Sequence, residues 1–181
     1  MALNRSTARR YAEAAFQVAE RDGSVDAWLT ALAFADERLA APEAMRILAS
    51  PAIPAAARLG ILDRILGGQV GGKPHNLLAL LVRRGRIEML PAVRREFRRL
   101  HHHRENIVDA TVTSAVALAP PDADALRDRL SALTGSRVEL RQEVDPELLG
   151  GLSVRIGDRL IDGSVRGRLE RLRSELTTIA T

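Results

Sequence analysis

The chain predicts an α+β fold in two parts. An N-terminal all-α six-helix bundle is expected over residues 1–105, and a small C-terminal β-α-β-β-α domain over residues 106–181. Three observations carry this expectation. Apolar residues recur every three to four positions as far as Leu100, and every second position in several short segments after it. The charge changes at the same place. Residues 1–105 hold 17 basic and 11 acidic side chains, net +6; residues 106–181 hold 10 and 12, net −2, and the two halves sum to the whole-chain 27 and 23. The 181-residue length fits one ordinary domain or two small ones, and 46% apolar with 28% charged is a globular composition.

Each helix of the first half has its own signals. In the first, Tyr11, Ala14, Ala15 and Val18 form one stripe while Ala12, Phe16 and Ala19 form a neighbouring one, so two faces are usable, and Gly23 stops it. Ser24 is placed to cap a second helix carrying Val25, Trp28, Leu29, Leu32, Ala35 and Leu39. Pro42 can open a third with Met45, Ile47 and Leu48, before Pro51 and Pro54 break the pattern. Leu59, Ile61, Leu62, Ile65 and Leu66 make a short fourth helix that ends in a flexible loop, Gly67–Gly72. Asn76–Arg84 is almost wholly apolar, hence buried on most sides, with Gly85 as its C-terminal cap. A sixth helix lines up Leu90, Val93, Phe97 and Leu100.

The second half alternates. In Ile107–Ala117, Val108, Ala110 and Val112 interleave with Asp109, Thr111 and Thr113, as in a strand with one wet face. Pro120, Pro121 and Asp122 open a helix with Leu126, Leu130 and Leu133. Arg137–Val144 sets Val138, Leu140 and Val144 against charged neighbours, and Leu152, Val154 and Ile156 alternate with Ser153 and Arg155. Gly157-Asp158 is a two-residue hairpin turn, and Leu160-Ile161 returns. Ser164 caps a last helix with Val165, Leu169, Leu172, Leu176 and Ile179. The boundary falls near Arg104–Ile107 with no Gly/Ser-rich linker, so a stiff join is expected.

Several functions are excluded by composition. Without Cys there are no disulfides, thiolate nucleophiles or Cys-based zinc sites. The longest clean apolar run, Leu77–Val82, is far short of the roughly 18 residues a membrane-spanning helix needs. The start, MALNRSTARRYAEAAF, has no signal-peptide core, which predicts a cytoplasmic protein. Arg supplies 26 of the basic residues and Lys only Lys73, a bias read as genome composition.

Apparent motifs dissolve when their chemistry is examined. Gly67–Lys73 reads G-G-Q-V-G-G-K, close to a phosphate loop, but Pro74 stands where a magnesium-holding hydroxyl is needed, and a helix precedes it instead of a strand. Gly68-Gln69-Val70-Gly71 mimics the loop of KH-type RNA modules, yet lies outside the β-containing half. His101, His102 and His103 point about 100° apart on a helix and cannot converge on one metal, so a solvated helix end and no metal are expected. Arg94, Arg95, Arg98 and Arg99 form a basic stripe opposite Val93, Phe97 and Leu100. It reads as a solvated face, with an acidic docking partner or nucleic acid as alternatives. The few aromatics sit at core spacing and leave no stacking platform for bases. No Ser/His/acid or paired-carboxylate arrangement stands out, so an enzyme is not expected, nor a cofactor.

Longer stretches carry a family likeness. V-E-L-R-Q-E-V-D-P-E-L-L-G-G-L-S-V-R-I-G-D (Val138–Asp158) and I-D-G-S-V-R-G-R-L-E-R-L (Ile161–Leu172), with R-Y-A-E-A-A-F (Arg10–Phe16) and N-L-L-A-L-L-V-R-R-G-R-I (Asn76–Ile87), resemble the delta subunit of the bacterial rotary ATP synthase, related to the mitochondrial oligomycin-sensitivity-conferring protein (OSCP). The signature positions Gly150, Gly151, Gly157, Asp158, Asp162, Gly163, Ser164 and Arg166 are taken as architectural. Gly150-Gly151 reads as a bulge, a close backbone approach or a plain turn.

The resemblance implies a stator subunit that takes part in ATP synthesis and proton transport without catalysing either. It would join the catalytic head to the peripheral stalk on the cytoplasmic face of the cell membrane, as one copy in a hetero-oligomer. It also implies that the first domain receives the N-terminal helix of an alpha subunit between its first and fifth helices, and that the second meets the C-terminal end of the b subunits. Mapped here, the groove would use Tyr11, Ala14, Ala15 and Val18 with Asn76, Ala79, Leu80 and Arg83. Each of these positions taken alone also fits ordinary bundle core; the two-faced first helix favours the groove. A basic RNA- or ribosome-associated module is the alternative reading, carried by Arg94–Arg99.

Overall fold

The computed structural model describes residues 2–169. Leu172, Leu176 and Ile179 of the expected last helix fall outside them. The chain divides into two compact units, Met1–His101 and His102–Thr181.

The first unit is helical. Its elements are α1 (Ala2–Arg21), α2 (Val25–Arg38), α3 (Pro42–Ala49), α4 (Ala55–Leu66), α5 (Gly72–Arg83), a 3-10 turn at Ile87–Met89 and α6 (Leu90–Arg104), whose last turn enters the second unit. The breaks follow the sequence signals. Gly23, Gly67 and Gly85 take positive φ of 62°, 55° and 62° just past three helix ends, where residues with a Cβ are strained. Pro42 occupies the first turn of α3, where its missing N–H has no intrahelical partner to lose.

Two local expectations need correction. Ser24 holds the N-cap position of α2, but its side chain makes no capping hydrogen bond. α5 starts at Gly72, ahead of the expected Asn76, because Pro74 is tolerated in a first turn.

The core of this unit gathers Ala12, Phe16, Leu32, Leu62, Leu78, Leu81, Val93 and their neighbours. Its centre is aromatic. Phe97 meets Phe16 edge-on at 5.3 Å and stacks on Trp28 at 5.8 Å between centroids. A buried cation ties three backbone segments to this core. Arg58 donates from Nε to the Ile53 carbonyl (3.1 Å), and from Nη1 to the carbonyls of Leu48 (3.1 Å) and Val82 (2.7 Å). Leu48 and Val82 lie in the last turns of α3 and α5, where carbonyls face a favourable positive charge; the Val82 carbonyl also accepts from the Gly85 N–H at 3.0 Å.

The second unit is a four-stranded sheet in the order β2-β1-β3-β4, with β1 (Ile107–Ser114), β2 (Arg137–Val144), β3 (Leu152–Ile156) and β4 (Arg159–Asp162). The Leu160-Ile161 return is therefore a strand in its own right, one more than the β-α-β-β-α order counts. β1 and β2 run parallel, with α7 (Pro120–Thr134) as the crossover such a pair requires. β3 runs antiparallel to β1 and β4, and Gly157, at φ +56°, turns the β3–β4 hairpin. Ala110, Val112, Val138 and Val154 of the sheet pack with Leu130 of α7. A further helix starts at 165. No helix of the described residues is long and apolar enough to cross a membrane.

Candidate partner-binding surfaces

The α1 and α5 stripes are accessible except at Ala15, which lies in the core. Ala14, Asn76, Leu80 and Arg83 are exposed, Tyr11, Val18 and Ala79 are half-buried, and Ala15 is buried. On an α-helix, 11-14-18 and 76-79-80-83 each fall on one face, so each set is a continuous stripe. Tyr11 and Val18 also pack against the core of the unit, so their positions are fixed from below. Leu80 is 40% exposed although it sits among the fully buried Leu78, Leu81 and Val82. Ala14 and Ala79 carry only methyl groups, which would let another backbone come close.

Most signature residues converge on one corner of the second unit, where β3 begins and β4 ends; Gly157 and Asp158 form the turn at the opposite end of that hairpin. A Cβ on Gly151 would lie 2.6 Å from the Gly163 carbonyl oxygen, so Gly150-Gly151 is a close backbone approach, with φ +79° at Gly151. The Gly163 N–H donates to the Leu152 carbonyl (2.9 Å) and the Val165 N–H to the Gly150 carbonyl (3.0 Å). Asp162 Oδ1 accepts from the Ser164 N–H at 2.9 Å, and Ser164 Oγ caps the last helix by accepting from the Gly167 N–H at 3.0 Å. A Cβ on Gly167 would run into the Asp162 carboxylate. Arg166 reaches Glu147 at 3.5 Å, and Asp158 lies exposed in the β3–β4 turn. The corner is a joint between strand, turn and helix, built by Gly150, Gly151, Asp162, Gly163 and Ser164. Beside it, Leu149, Leu160 and Ile161 remain exposed.

The glycine-rich loop has the surroundings of an interhelical connection. It follows helix α4, and Lys73 is paired with Asp22. Hydrogen bonding from Lys73, followed by the nearby charges of Lys73 and Arg21, holds the Asp22 carboxyl below its usual pKa. A cleft of about 410 Å³ lies here, lined in part by Trp28, Gln69, Val70 and Lys73. The basic stripe on α6 is partly neutralised within the chain: Arg94 pairs with Asp36 at 2.6 Å and Arg99 with Glu96 at 2.8 Å.

Two buried polar residues have surroundings that the sequence did not show. Arg58 carried no motif. His102 was expected at a solvated helix end, but its side chain is 9% exposed, with Nδ1 3.3 Å from Asp109 and Nε2 3.5 Å from Glu139. Only the parallel β1–β2 register, which pairs Asp109 with Glu139, brings those acids together.

Two compact units, each with its own core and its own exposed apolar side chains, have the build of a two-module chain that docks on other proteins. Comparison with known families gives the particular case. The family model for the ATP synthase delta (OSCP) subunit matches residues 7–176. The chain belongs to that family. It is 39% identical over 175 residues to the ATP synthase subunit delta of Heliobacterium modesticaldum, covering 96% of this chain and 95% of that one. The subunit delta of Chlorobium luteolum is 38% identical over 93% of this chain and 94% of its own length. The chloroplastic subunit delta of Emiliania huxleyi is 34% identical over 93% and 95%. Among solved structures, a chain of the cryo-EM structure of the Toxoplasma gondii mitochondrial ATP synthase hexamer has the same fold. Its TM-score is 0.61 at 23% identity, over 94% of this chain and 97% of that one.

Proposed function

We propose that this chain is the stator link of a proton-translocating ATP synthase, a subunit that catalyses nothing and keeps the catalytic head from turning with the rotor. Its first unit receives the N-terminal helix of an alpha subunit along the α1 and α5 stripes. Its second unit meets the C-terminal end of the b subunits. The chain sits at the cytoplasmic face of the membrane through these contacts, in one copy. The observation that carries the reading is the pair of accessible stripes, with Leu80 exposed amid a buried helix and Ala14 exposed beside a half-buried Tyr11. Exposed Leu149, Leu160 and Ile161 support a second contact on the second unit. A link under load needs two separate grips, each of about 800 Å² per partner.

The test is Ala14→Asp. The position is exposed, so the variant folds. A guest helix would bury the new carboxylate without a counter-charge. Titration with a peptide of the alpha-subunit N-terminus should show affinity at least about tenfold weaker, a loss of roughly 1.4 kcal/mol. Unchanged affinity in a folded variant rules out this groove.

A further inference from the structure

We propose that His102, Asp109 and Glu139, all in the second unit, form a binding site for a divalent transition-metal ion of the zinc class. One ligand atom from each of the three lies within 4.8 Å of the others. The His102 ring stands between the acids, with Nδ1 3.3 Å from Asp109 Oδ2 and Nε2 3.5 Å from Glu139 Oε2. Zinc sits about 2.0–2.2 Å from nitrogen and carboxylate oxygen, so two tetrahedral ligands lie roughly 3.3 Å apart. Asp109 is already at that spacing from Nδ1; Glu139 faces Nε2 and joins the same ion by a side-chain rotation, since one ring nitrogen holds one ion.

The donors are held by the fold. Asp109 and Glu139 are direct partners in the parallel β1–β2 ladder, which puts both side chains on the same face of the sheet. His102, in the last turn of α6, is buried, so its ring is ordered before any ion arrives. The acids are half-open to solvent at 58% and 52% exposure, which leaves an entry route and room for water in the remaining coordination positions. Two carboxylates match a double positive charge. A ring nitrogen selects zinc, cobalt or nickel over magnesium, which prefers an all-oxygen shell. The competing reading is a charged His102 ring that serves only as an ion-pair bridge between the two acids.

Tag-free full-length chain titrated with Co²⁺ and followed by visible d–d absorption, and with Zn²⁺ by calorimetry in excess Mg²⁺, separates the two. We expect one ion per chain, unaffected by Mg²⁺. Binding should be lost in His102→Ala and weakened tenfold or more in Asp109→Asn and in Glu139→Gln. It should persist when His101 and His103 are both changed to Ala. Absence of binding by the wild-type chain overturns the proposal. So does binding that survives His102→Ala but disappears with His101 and His103, which would mark an adventitious histidine run. If His102→Ala fails to fold by circular dichroism, the two carboxylate variants decide, and unchanged affinity in both overturns the site.

Discussion

Gly151→Ala and Gly157→Ala make a matched pair, because the same methyl is added to two glycines with positive φ in the same unit. Both substitutions place an L-residue in the left-handed region, at φ +79° and +56°, which costs about 1–2 kcal/mol. At Gly157 the new Cβ meets nothing within 4 Å, so that is the whole cost. At Gly151 it would lie 2.6 Å from the Gly163 carbonyl oxygen and 3.1 Å from the Ser164 Cα, both backbone atoms that cannot rotate away. Relief requires the strand and the turn to part, which breaks or stretches the Gly163–Leu152 and Val165–Gly150 hydrogen bonds. Each such bond is worth about 0.5–1.5 kcal/mol. Gly151→Ala should therefore destabilise the second unit by about 2–5 kcal/mol, roughly 1–3 kcal/mol more than Gly157→Ala. The aromatic residues all lie in the first unit, at Tyr11, Phe16, Trp28, Phe34 and Phe97, so fluorescence does not report on the second. Amide hydrogen exchange at Val112 and Val154, two buried strand positions, is the suitable readout. Equal losses of protection in the two variants would refute the close-approach reasoning and leave only backbone strain.

Other predictions follow from the same structure. Arg58→Met removes the side-chain donor from the Leu48, Ile53 and Val82 carbonyls, of which Val82 keeps the Gly85 N–H, so the first unit should lose about 2–5 kcal/mol in urea titrations read by Trp28 fluorescence; a loss below about 1 kcal/mol would contradict the clamp. Because Asp22 has a lowered pKa in the folded chain, its contribution to stability is present above the ordinary carboxylate pKa and fades as pH falls through the lowered value. Lys73→Met should raise the Asp22 titration midpoint measured by NMR, and an unmoved midpoint would remove Lys73 as the cause.

The sequence showed the helices and strands well because their punctuation is local. Gly23, Gly67, Gly85 and Pro42 act within a turn of their own position. The change of period after Leu100 likewise needs no knowledge of partners. What escaped depends on distant residues. Arg58 looks like any surface arginine until three carbonyls, up to 24 residues away, surround its guanidinium. His102 was weighed only against its helical neighbours, whereas the residues that face it come from two strands whose parallel pairing no local pattern reveals. The signature glycines were legible as backbone positions, but the short distance from Gly151 to Gly163 had to be seen in three dimensions. The stripe on α5 came from the family resemblance and not from periodicity. Asn76–Arg84 is so uniformly apolar that no face could be singled out, and only packing shows that Leu80 points away from the core while Leu78 and Leu81 point in.

Membrane vesicles whose ATP synthase has been stripped of this subunit offer the most direct measurement of the coupling role. ATP-driven proton pumping, read as quenching of a pH-sensitive dye, is predicted to vanish on stripping and to return when the purified chain is added back, while ATP hydrolysis by the head continues throughout. Pumping that is undiminished in the stripped vesicles would contradict the account.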